Sequence, residues 1–282
     1  MFLSAIWGSS FIFIKLSVQT IHPSLLTFYR LLIASIFLLF FRVEKIKWTR
    51  KNFIGILIIS IFGNVLPFNL ISWSELYVDS VVASSLIGTM PMFTFIFSLI
   101  LLKNNDTSFF KFFGLIIGFA GMIIFIGPNL SSFKENSVFF SLVILFSAVC
   151  YAFSASWVKK IENQSAISIA TTSTIIATFL TFPVMLWFFG LSNVTFSQYV
   201  GSVSLKSFFS ATVLGIICTG LAIIVFFKLI QIRSPIFASQ SNYLIPCFGF
   251  LWSYLFLEEA FTINLIVGFL LIVSGGFLVN RH

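Results

Sequence analysis

Arg30 is the side chain whose chemistry most needs an explanation, because it lies inside an apolar run at residues 24–41 that is long enough to cross a bilayer. A cation at membrane depth costs from about 2.5 to above 10 kcal/mol. Its long stem can carry the charge back to the membrane surface. Alternatively, the guanidinium is a fixed positive charge that attracts a carboxylate or phosphate, or pairs with Glu75 in one state. Lys15, nearer the end of its own run, fits the first explanation better.

Acidic side chains do not form a relay inside the apolar runs. Proton coupling would have to use a shallow acid such as Glu75, and substrate exchange or facilitated diffusion fits equally well. The histidines and the three cysteines show no metal-ligand spacing, so neither a metal nor a cofactor is predicted. The acids at or near the ends of runs are Glu75, Asp79, Glu258 and Glu259.

The composition predicts an all-α integral membrane protein. Of the 282 residues, 59% are hydrophobic and 9% are charged, whereas soluble proteins are about 25% charged. A helix that crosses a bilayer needs about 20 apolar residues, and ten such runs leave no room for a soluble domain. The predicted transmembrane helices are residues 2–20, 24–41, 53–74, 79–102, 109–127, 137–157, 166–190, 207–228, 235–257 and 262–280.

The basic residues predict the orientation of the chain. Cytoplasmic loops of inner-membrane proteins carry the excess of Lys and Arg. Of the 16 basic residues, 12 fall in alternate loops on one side, Lys134 and Lys206 fall on the other, and Lys15 and Arg30 lie within spans. Both termini are therefore predicted to be cytoplasmic, in a multi-pass protein of the cytoplasmic (inner) membrane. A nucleic-acid partner is not predicted, because the net charge of +8 is scattered between apolar runs.

The chain also contains an internal repeat. Spans one to five correspond to spans six to ten, which divides the chain into repeats at residues 1–130 and 131–282. Because five is odd, the second repeat enters the membrane from the opposite side. Inverted repeats of this kind are typical of secondary transporters, with a site near the midplane between the repeats. Offsets of 144 and then 155 residues give the matched pairs Trp7/Tyr151, Ser10/Ser154, Asn64/Thr219 and Pro91/Pro246.

Several short motifs carry a family resemblance. They are the opening Trp7-Gly8-Ser9-Ser10-Phe11, the early Arg30, the Ala-Ser…Pro-x-Phe pattern of spans four and nine, and Leu257-Glu258-Glu259 followed by Gly268 and Gly275-Gly276. In this order they resemble the drug/metabolite transporter superfamily, EamA type. The resemblance implies a metabolite carrier, often an exporter, that works by alternating access. One departure is the turn after span four, where the family's Gly-Glu is replaced by Lys103-Asn104-Asn105-Asp106.

Polar and aromatic side chains at helical spacing could line one cavity between the repeats. Such a cavity suits a small organic molecule with an apolar part, and Arg30 with Lys15 favours an anionic group. For the serines, close helix packing is the alternative. Pro91 and Pro246 are predicted near the bending points of gates, because a proline frees a backbone carbonyl. The predicted substrate-binding residues are Trp7, Ser10, Arg30, Asn64, Phe68, Ser72, Ser84, Tyr151, Ser154, Ser239, Asn242 and Tyr243.

These features predict a secondary transporter rather than an enzyme. The cargo is a small metabolite, amino-acid-like or another small organic molecule, that is exported or exchanged with protons or a counter-substrate as candidate partners. The alternatives are a polytopic membrane enzyme, which needs paired acids, a His cluster or a metal site, and a non-transporting receptor, for which soluble extensions are expected.

The glycines of spans five and ten favour close helix packing, with a homodimer seam as the alternative. These glycines are Gly114, Gly118, Gly121, Gly268 and Gly275.

Overall fold

The computed structural model describes residues 1–41, 46–102, 109–126, 137–191, 201–257 and 263–279. Within those ranges the chain is helical and has no strand. The principal helices of the first half are α1 (Phe2–Ser17), α2 (Pro23–Phe41), α3 (Arg50–Ser74), α4 (Ser80–Ile87, then Met90–Leu102) and α5 (Phe109–Ile126). Those of the second half are α6 (Ser137–Lys160), α7 (Ala166–Leu191), α8 (Leu205–Ile232), α9 (Pro235–Ser239, then Ile245–Leu257) and α10 (Ile263–Val279).

Six of the described helices are long and apolar enough to cross a bilayer, and α1, α5 and α10 contribute shorter apolar helices. Their outer faces carry large exposed aromatic side chains such as Phe40, Phe179 and Trp187, which suit contact with lipid better than with water. The prediction of an all-helical membrane protein is confirmed. That ten helices cross the membrane as two inverted repeats stays a prediction. The six long segments are Pro23–Phe41, Arg50–Ser74, Val82–Leu102, Val138–Lys160, Ala166–Phe188 and Leu205–Ile232.

Local signals set several helix ends. The side chains of Thr49, Ser204 and Ser234 each accept a hydrogen bond from the backbone N–H three residues further on, which satisfies a donor that the first helical turn leaves free. The sequence marks the turn between α3 and α4 only by Glu75 and Asp79, and the structure confirms that turn. Three features named above lie outside the described residues: the repeat boundary at residue 130, the turn at 103–106, and the acids Glu258 and Glu259.

Helices of the two halves pack against each other in matched pairs. Helix α1 contacts α8 and α9, while α6 contacts α3 and α4. Likewise α2 packs on α7, and α5 packs on α10. The contacts are the same in both halves: each contact made by a helix of one half is also made by the helices that lie five places away in the chain. For example, the contact of α1 with α8 corresponds to that of α6 with α3. The large hydrophobic core runs through these contacts and includes residues of both halves, such as Leu31 and Ile59 with Ile169 and Leu214.

Helices α3 and α8 each depart from α-helical geometry in the middle. A π-helical turn occupies Ile61–Val65 in α3, and another occupies Leu214–Leu221 in α8. The two turns contain Asn64 and Thr219, the residues that the 155-residue offset aligns. Short π-helical insertions are frequent at functional sites because they re-aim side chains and loosen the backbone ladder.

Helices α4 and α9 are interrupted just before a proline. In α4, residues 88–89 form a turn ahead of Pro91, and in α9 the segment Gln240–Leu244 is a 3₁₀ helix ahead of Pro246. A proline has no N–H to donate, and its ring crowds the carbonyl four residues earlier. The backbone is therefore irregular at the two places where bending was predicted.

Helices α5 and α10 approach each other through glycines. A Cβ atom added at Gly275 would lie 2.5 Å from the carbonyl oxygen of Gly114, and one added at Gly121 would lie 2.8 Å from that of Gly268. Only residues without side chains allow backbones to pack this closely. The predicted packing role is confirmed, and the glycines serve it within one chain. Whether the chain also forms a homodimer stays a prediction.

Candidate functional site

A cavity lies in the middle of the helix bundle and is lined by residues of α1, α2, α3, α4, α6, α8 and α9. Its empty volume is about 740 Å³, including the part that opens outward. Mainly apolar walls with a few convergent polar groups are typical of small-molecule sites. Eight of the twelve predicted binding residues lie on the wall: Trp7, Ser10, Arg30, Asn64, Phe68, Tyr151, Ser154 and Asn242.

Aromatic rings from four helices form much of the wall. The indole nitrogen of Trp7 donates a hydrogen bond to the carbonyl oxygen of Cys218 at 3.2 Å, and its ring meets Phe226 edge-on with centroids 5.1 Å apart. Phe68 and Tyr151 meet in the same manner, with centroids 6.3 Å apart. The hydrogen bond holds Trp7 of α1 against α8, so the two halves share this aromatic surface.

Arg30 is the charged residue on the described cavity wall. Its side chain is 5% exposed, so the charge does not reach the membrane surface. Nε donates a hydrogen bond to the hydroxyl oxygen of Thr219 at 2.5 Å, and Cζ lies 3.9 Å from the ring centroid of Phe68. No pair between Arg30 and Glu75 is present, since the one ion pair among the described residues joins Lys51 and Glu162.

The two amide side chains on the wall are used differently. The amide nitrogen of Asn242 donates to the carbonyl oxygen of Ser239 at 2.9 Å and lies 3.3 Å from the sulfur of Met90. Asn64 is 1% exposed, and among the described residues its amide nitrogen has no hydrogen-bond partner. A buried amide without a partner is costly. Asn64 therefore has hydrogen-bonding capacity to offer to a ligand in the cavity.

Glu75 lies at the end of α3 and is fully buried. The ammonium of Lys15 donates to the backbone carbonyl oxygens of Glu75 and Val78, at 2.7 and 3.3 Å, rather than to the carboxylate. The carboxylate accepts one hydrogen bond from Ser80 at 3.3 Å, and its other oxygen has no partner among the described residues. Lys15 thus ties α1 to the turn after α3.

Four predicted binding residues lie off the cavity wall. The hydroxyl of Ser239 donates to Ile236, and the hydroxyl of Tyr243 donates to the carbonyl oxygen of Leu115 at 3.2 Å. Tyr243 also packs on Gly118, where an added Cβ would lie 3.0 Å from its ring. Helical spacing placed Ser239 on one face with Asn242, but of these two residues only Asn242 lines the cavity. The four are Ser72, Ser84, Ser239 and Tyr243, and all of them are buried.

Pro91 and Pro246 are both buried and flank the interrupted parts of α4 and α9. Their predicted role in gating stays a prediction.

Sequence reasoning overlooked several residues at the site. Cys218, one of the three cysteines without metal-ligand spacing, is buried and also lines the cavity. Phe226 and Phe227 could not be told from the many other phenylalanines. Thr219, the partner of Arg30, did have a signal, because the 155-residue offset pairs it with Asn64.

The wall can bind a solute through one cation, two amides, hydroxyl groups and aromatic faces. These groups recognise a polar or charged end while the apolar surface holds the rest of the molecule. Within the described ranges, no cluster of three or more His, Cys, Asp or Glu side chains is arranged to hold a metal ion.

Comparisons with known proteins agree with a membrane transporter. The sequence model of the EamA-like transporter family matches residues 1–127 and 139–281. YoaV of Bacillus subtilis (strain 168), described as an uncharacterized transporter, is 22% identical over 280 residues, which is 98% of this chain and 93% of YoaV. An uncharacterized transporter of Archaeoglobus fulgidus is 23% identical over 278 residues, which is 98% of this chain and 95% of that protein.

Two further similarities complete the comparison. An uncharacterized transporter encoded in the trpA 3′ region of Buchnera aphidicola subsp. Schlechtendalia chinensis is 31% identical over 172 residues, 60% of this chain and 56% of its own length. A solved crystal structure superposes with a TM-score of 0.78 and 14% sequence identity, covering 99% of this chain and 94% of the other. At that identity the likeness concerns the fold alone.

Proposed function

Because the chain belongs to the EamA-like transporter family, we propose that this membrane transporter is a secondary carrier that moves a small organic metabolite by alternating access. The observation that carries the proposal is the central cavity, whose wall is built from helices of both halves and contains eight of the predicted binding residues. A site shared between two halves can face one side of the membrane and then the other when the halves rock.

The irregular helices support a rocking mechanism. The cavity is lined by Asn64 and Cys218 from the two π-helical turns and by Asn242 from the 3₁₀ segment. Such segments have weaker backbone hydrogen bonding than a regular α-helix, so bending there costs less than elsewhere. Pro91 and Pro246 would be the bending points on either side of the substrate.

We also propose the cytoplasmic membrane as the location, with both termini in the cytoplasm, and export or exchange as the direction of net transport. The distribution of Lys and Arg between alternate loops supports the orientation. If protons are the coupling partner, Glu75 is the acid in a position to carry them, because it is buried beside Lys15 at the end of α3. A counter-substrate in the same cavity is the other partner to test.

The names of the family and of its relatives point to transporters rather than to enzymes. Among the residues that the structure describes, no observation favours the membrane enzyme or the receptor that the sequence left as alternatives.

The proposal is tested by flux measurements with the purified protein in liposomes. We expect saturable uptake or exchange of at least one class in a radiolabelled panel of amino acids, organic acids, nucleosides and amines. Ser10→Leu, which fills the cavity, should abolish that flux, whereas Ser274→Leu, at an exposed position of α10 that is off the wall, should retain it. Saturable flux for no class in the panel, from protein that is folded by its melting curve, would contradict the proposal.

A further inference from the structure

We propose that the cavity recognises its substrate by a carboxylate group that binds to Arg30, which Thr219 and Phe68 hold in position, with the amide of Asn64 as a second donor. The inference rests on the proposed function, because it names the substrate class of the same cavity. It also assigns to Thr219 the role of a positioning residue.

The charge of Arg30 has no carboxylate in direct contact among the described residues, and Glu75 attracts it only through space. The side chain is 5% exposed, and no carboxylate of the described chain forms an ion pair with it. Burial of an unpaired cation is one of the larger costs that a protein can carry. A negative group of the ligand would supply the missing partner and so gain a large part of its binding energy from this one contact.

The hydroxyl of Thr219 fixes one edge of the guanidinium. It donates its proton to the carbonyl oxygen of Leu214 at 2.8 Å, five residues back in the π-helical turn. Its oxygen is therefore free to accept only, and it accepts from Nε of Arg30 at 2.5 Å. A valine at this position would have the same shape but could not accept that bond.

Phe68 fixes the plane of the guanidinium. Its ring lies 3.9 Å from Cζ of Arg30, a cation–π contact. With Nε bound on one edge and one face covered, the two terminal nitrogens form the free fork, and no described residue supplies them with an acceptor. This fork matches the two oxygens of a carboxylate, which Arg binds with two parallel hydrogen bonds.

Asn64 is an independent sign of a ligand in the same cavity. It lies on the wall, it is 1% exposed, and its amide nitrogen has no partner among the described residues. Its neighbour Gly63 also lines the cavity. The π-helical turn that presents Asn64 is the counterpart of the turn that presents Thr219.

The charge balance favours a carboxylate over a phosphate ester. Arg30 supplies one positive charge, and the described wall has no second cation. A carboxylate carries one negative charge, whereas a phosphate monoester carries close to two. The mainly apolar remainder of the wall, with Trp7 and Phe226 in contact, suits the aliphatic or aromatic body of an organic acid.

The test compares ligands that differ only in their polar group, with thermal unfolding of the detergent-purified protein as the readout. The probes are benzoate, benzamide and benzylamine, then butyrate, butyramide and butylamine, and finally phenyl phosphate, each at millimolar concentration. A ligand that binds only the folded protein raises its melting temperature by mass action. We expect an acid to raise it and the matched amide, the matched amine and phenyl phosphate to have smaller effects.

Variants of Arg30 test whether the rise in melting temperature comes from binding of the acid to this residue. Arg30→Gln should weaken binding of the acid at least about tenfold, as expected for loss of a charged hydrogen-bonding partner. Arg30→Lys keeps the charge without the fork, so it should give an intermediate loss. Arg233→Gln alters an exposed arginine and should leave binding unchanged.

The positioning role of Thr219 has its own control on the same helix. Thr219→Val should lower the preference for the acid over its amide, and Thr219→Ser should restore that preference. Thr212, also on α8, bonds instead to the hydroxyl of Tyr29 at 3.0 Å, so Thr212→Val should keep the preference. A general structural effect of Thr219→Val would weaken acid and amide alike.

The proposal is overturned if an amide, an amine or phenyl phosphate stabilises the protein as much as the acid, if no acid stabilises it, or if Arg30→Gln binds the acid as the parent does. Failure of the carrier proposal gives a different result. In that case acids bind at Arg30, yet no class of solute crosses the liposome membrane. Saturable flux of neutral or cationic solutes alone would support the carrier proposal and contradict the proposed carboxylate site.

Discussion

The ammonium nitrogen of Lys15 lies 2.7 Å from the backbone carbonyl oxygen of Glu75, and this contact joins the end of α1 to the end of α3. The last carbonyls of a helix have no partner within the helix, and a cation close to them is favourable. Lys15 thus binds to the end of another helix, whereas the favoured expectation from the sequence was that its charge extends to the membrane surface.

We predict that Lys15→Met destabilises the fold. The loss of a charged donor to buried carbonyls costs about 1–3 kcal/mol, which corresponds to a melting temperature lower by roughly 3–10 °C. Thermal unfolding in detergent measures the effect. The control is Lys228→Met, at an exposed position of α8. Equal melting temperatures for the Lys15 and Lys228 variants would show that the contact does not stabilise the helix ends.

Glu75→Gln is expected to leave the melting temperature unchanged or higher. The carboxylate is fully buried, it accepts one hydrogen bond, from Ser80, and it makes no ion pair among the described residues. A neutral amide of the same shape keeps the bond to Ser80 and removes the cost of burying a charge. A loss as large as that of Lys15→Met would mean that the negative charge itself stabilises this turn.

Gly275→Ala should destabilise the protein through a direct backbone collision. The added Cβ would lie 2.5 Å from main-chain atoms of Gly114 and Gly118, so α5 and α10 must separate. Overpacking of this kind costs about 1–3 kcal/mol. The neighbouring Gly276→Ala is the control, because its added Cβ would be 3.8 Å from the nearest atom, on Gln240. A melting temperature for Gly275→Ala as high as that of the control would contradict the close packing.

Asn64→Leu should separate function from stability. Removal of a buried amide without a partner is neutral or stabilising, by up to about 1–3 kcal/mol, but it removes a polar group from the cavity. We expect liposome flux to fall at least about tenfold while the melting temperature stays the same or rises. Asn52→Leu is the matched control, because the amide of Asn52 donates to the carbonyl oxygen of Lys47 at 3.0 Å. That variant should be less stable, and the Asn64 prediction is wrong if both variants lose stability equally.

The sequence predicted the helices better than it predicted the cavity wall. Apolar run length located α1 to α10, because a bilayer forces backbone groups to bond within each helix. Spacing of four placed Asn64, Phe68 and Ser72 on one face, yet Ser72 is off the wall. Phe68 and Ser72 both lie in the regular α-helical part that follows the π-helical turn at Ile61–Val65. Ser72 is two residues from the end of α3, and spacing alone does not show how far along a helix a cavity extends.

The contact between Arg30 and Thr219 was beyond the reach of sequence for a similar reason. The two residues are 189 positions apart, and the acceptor role of Thr219 depends on a hydroxyl bond five residues back in a π-helical turn. The internal repeat did align Thr219 with Asn64. It could not show that Thr219 accepts a hydrogen bond from Arg30, whereas the amide nitrogen of Asn64 has no partner among the described residues.

The measurement that tests the central claim most directly is labelling of Cys218 from each side of the membrane. Cys218 lines the cavity, so alternating access should expose its thiol to both sides in turn. In Cys150→Ala/Cys247→Ala protein in sealed liposomes, we predict that membrane-impermeant sulfonatoethyl methanethiosulfonate modifies Cys218 whether it is added outside or trapped inside. A protein that keeps only Cys150, which is buried and off the wall, should stay unmodified. Modification of Cys218 from one side alone, or from neither, would contradict alternating access through this cavity.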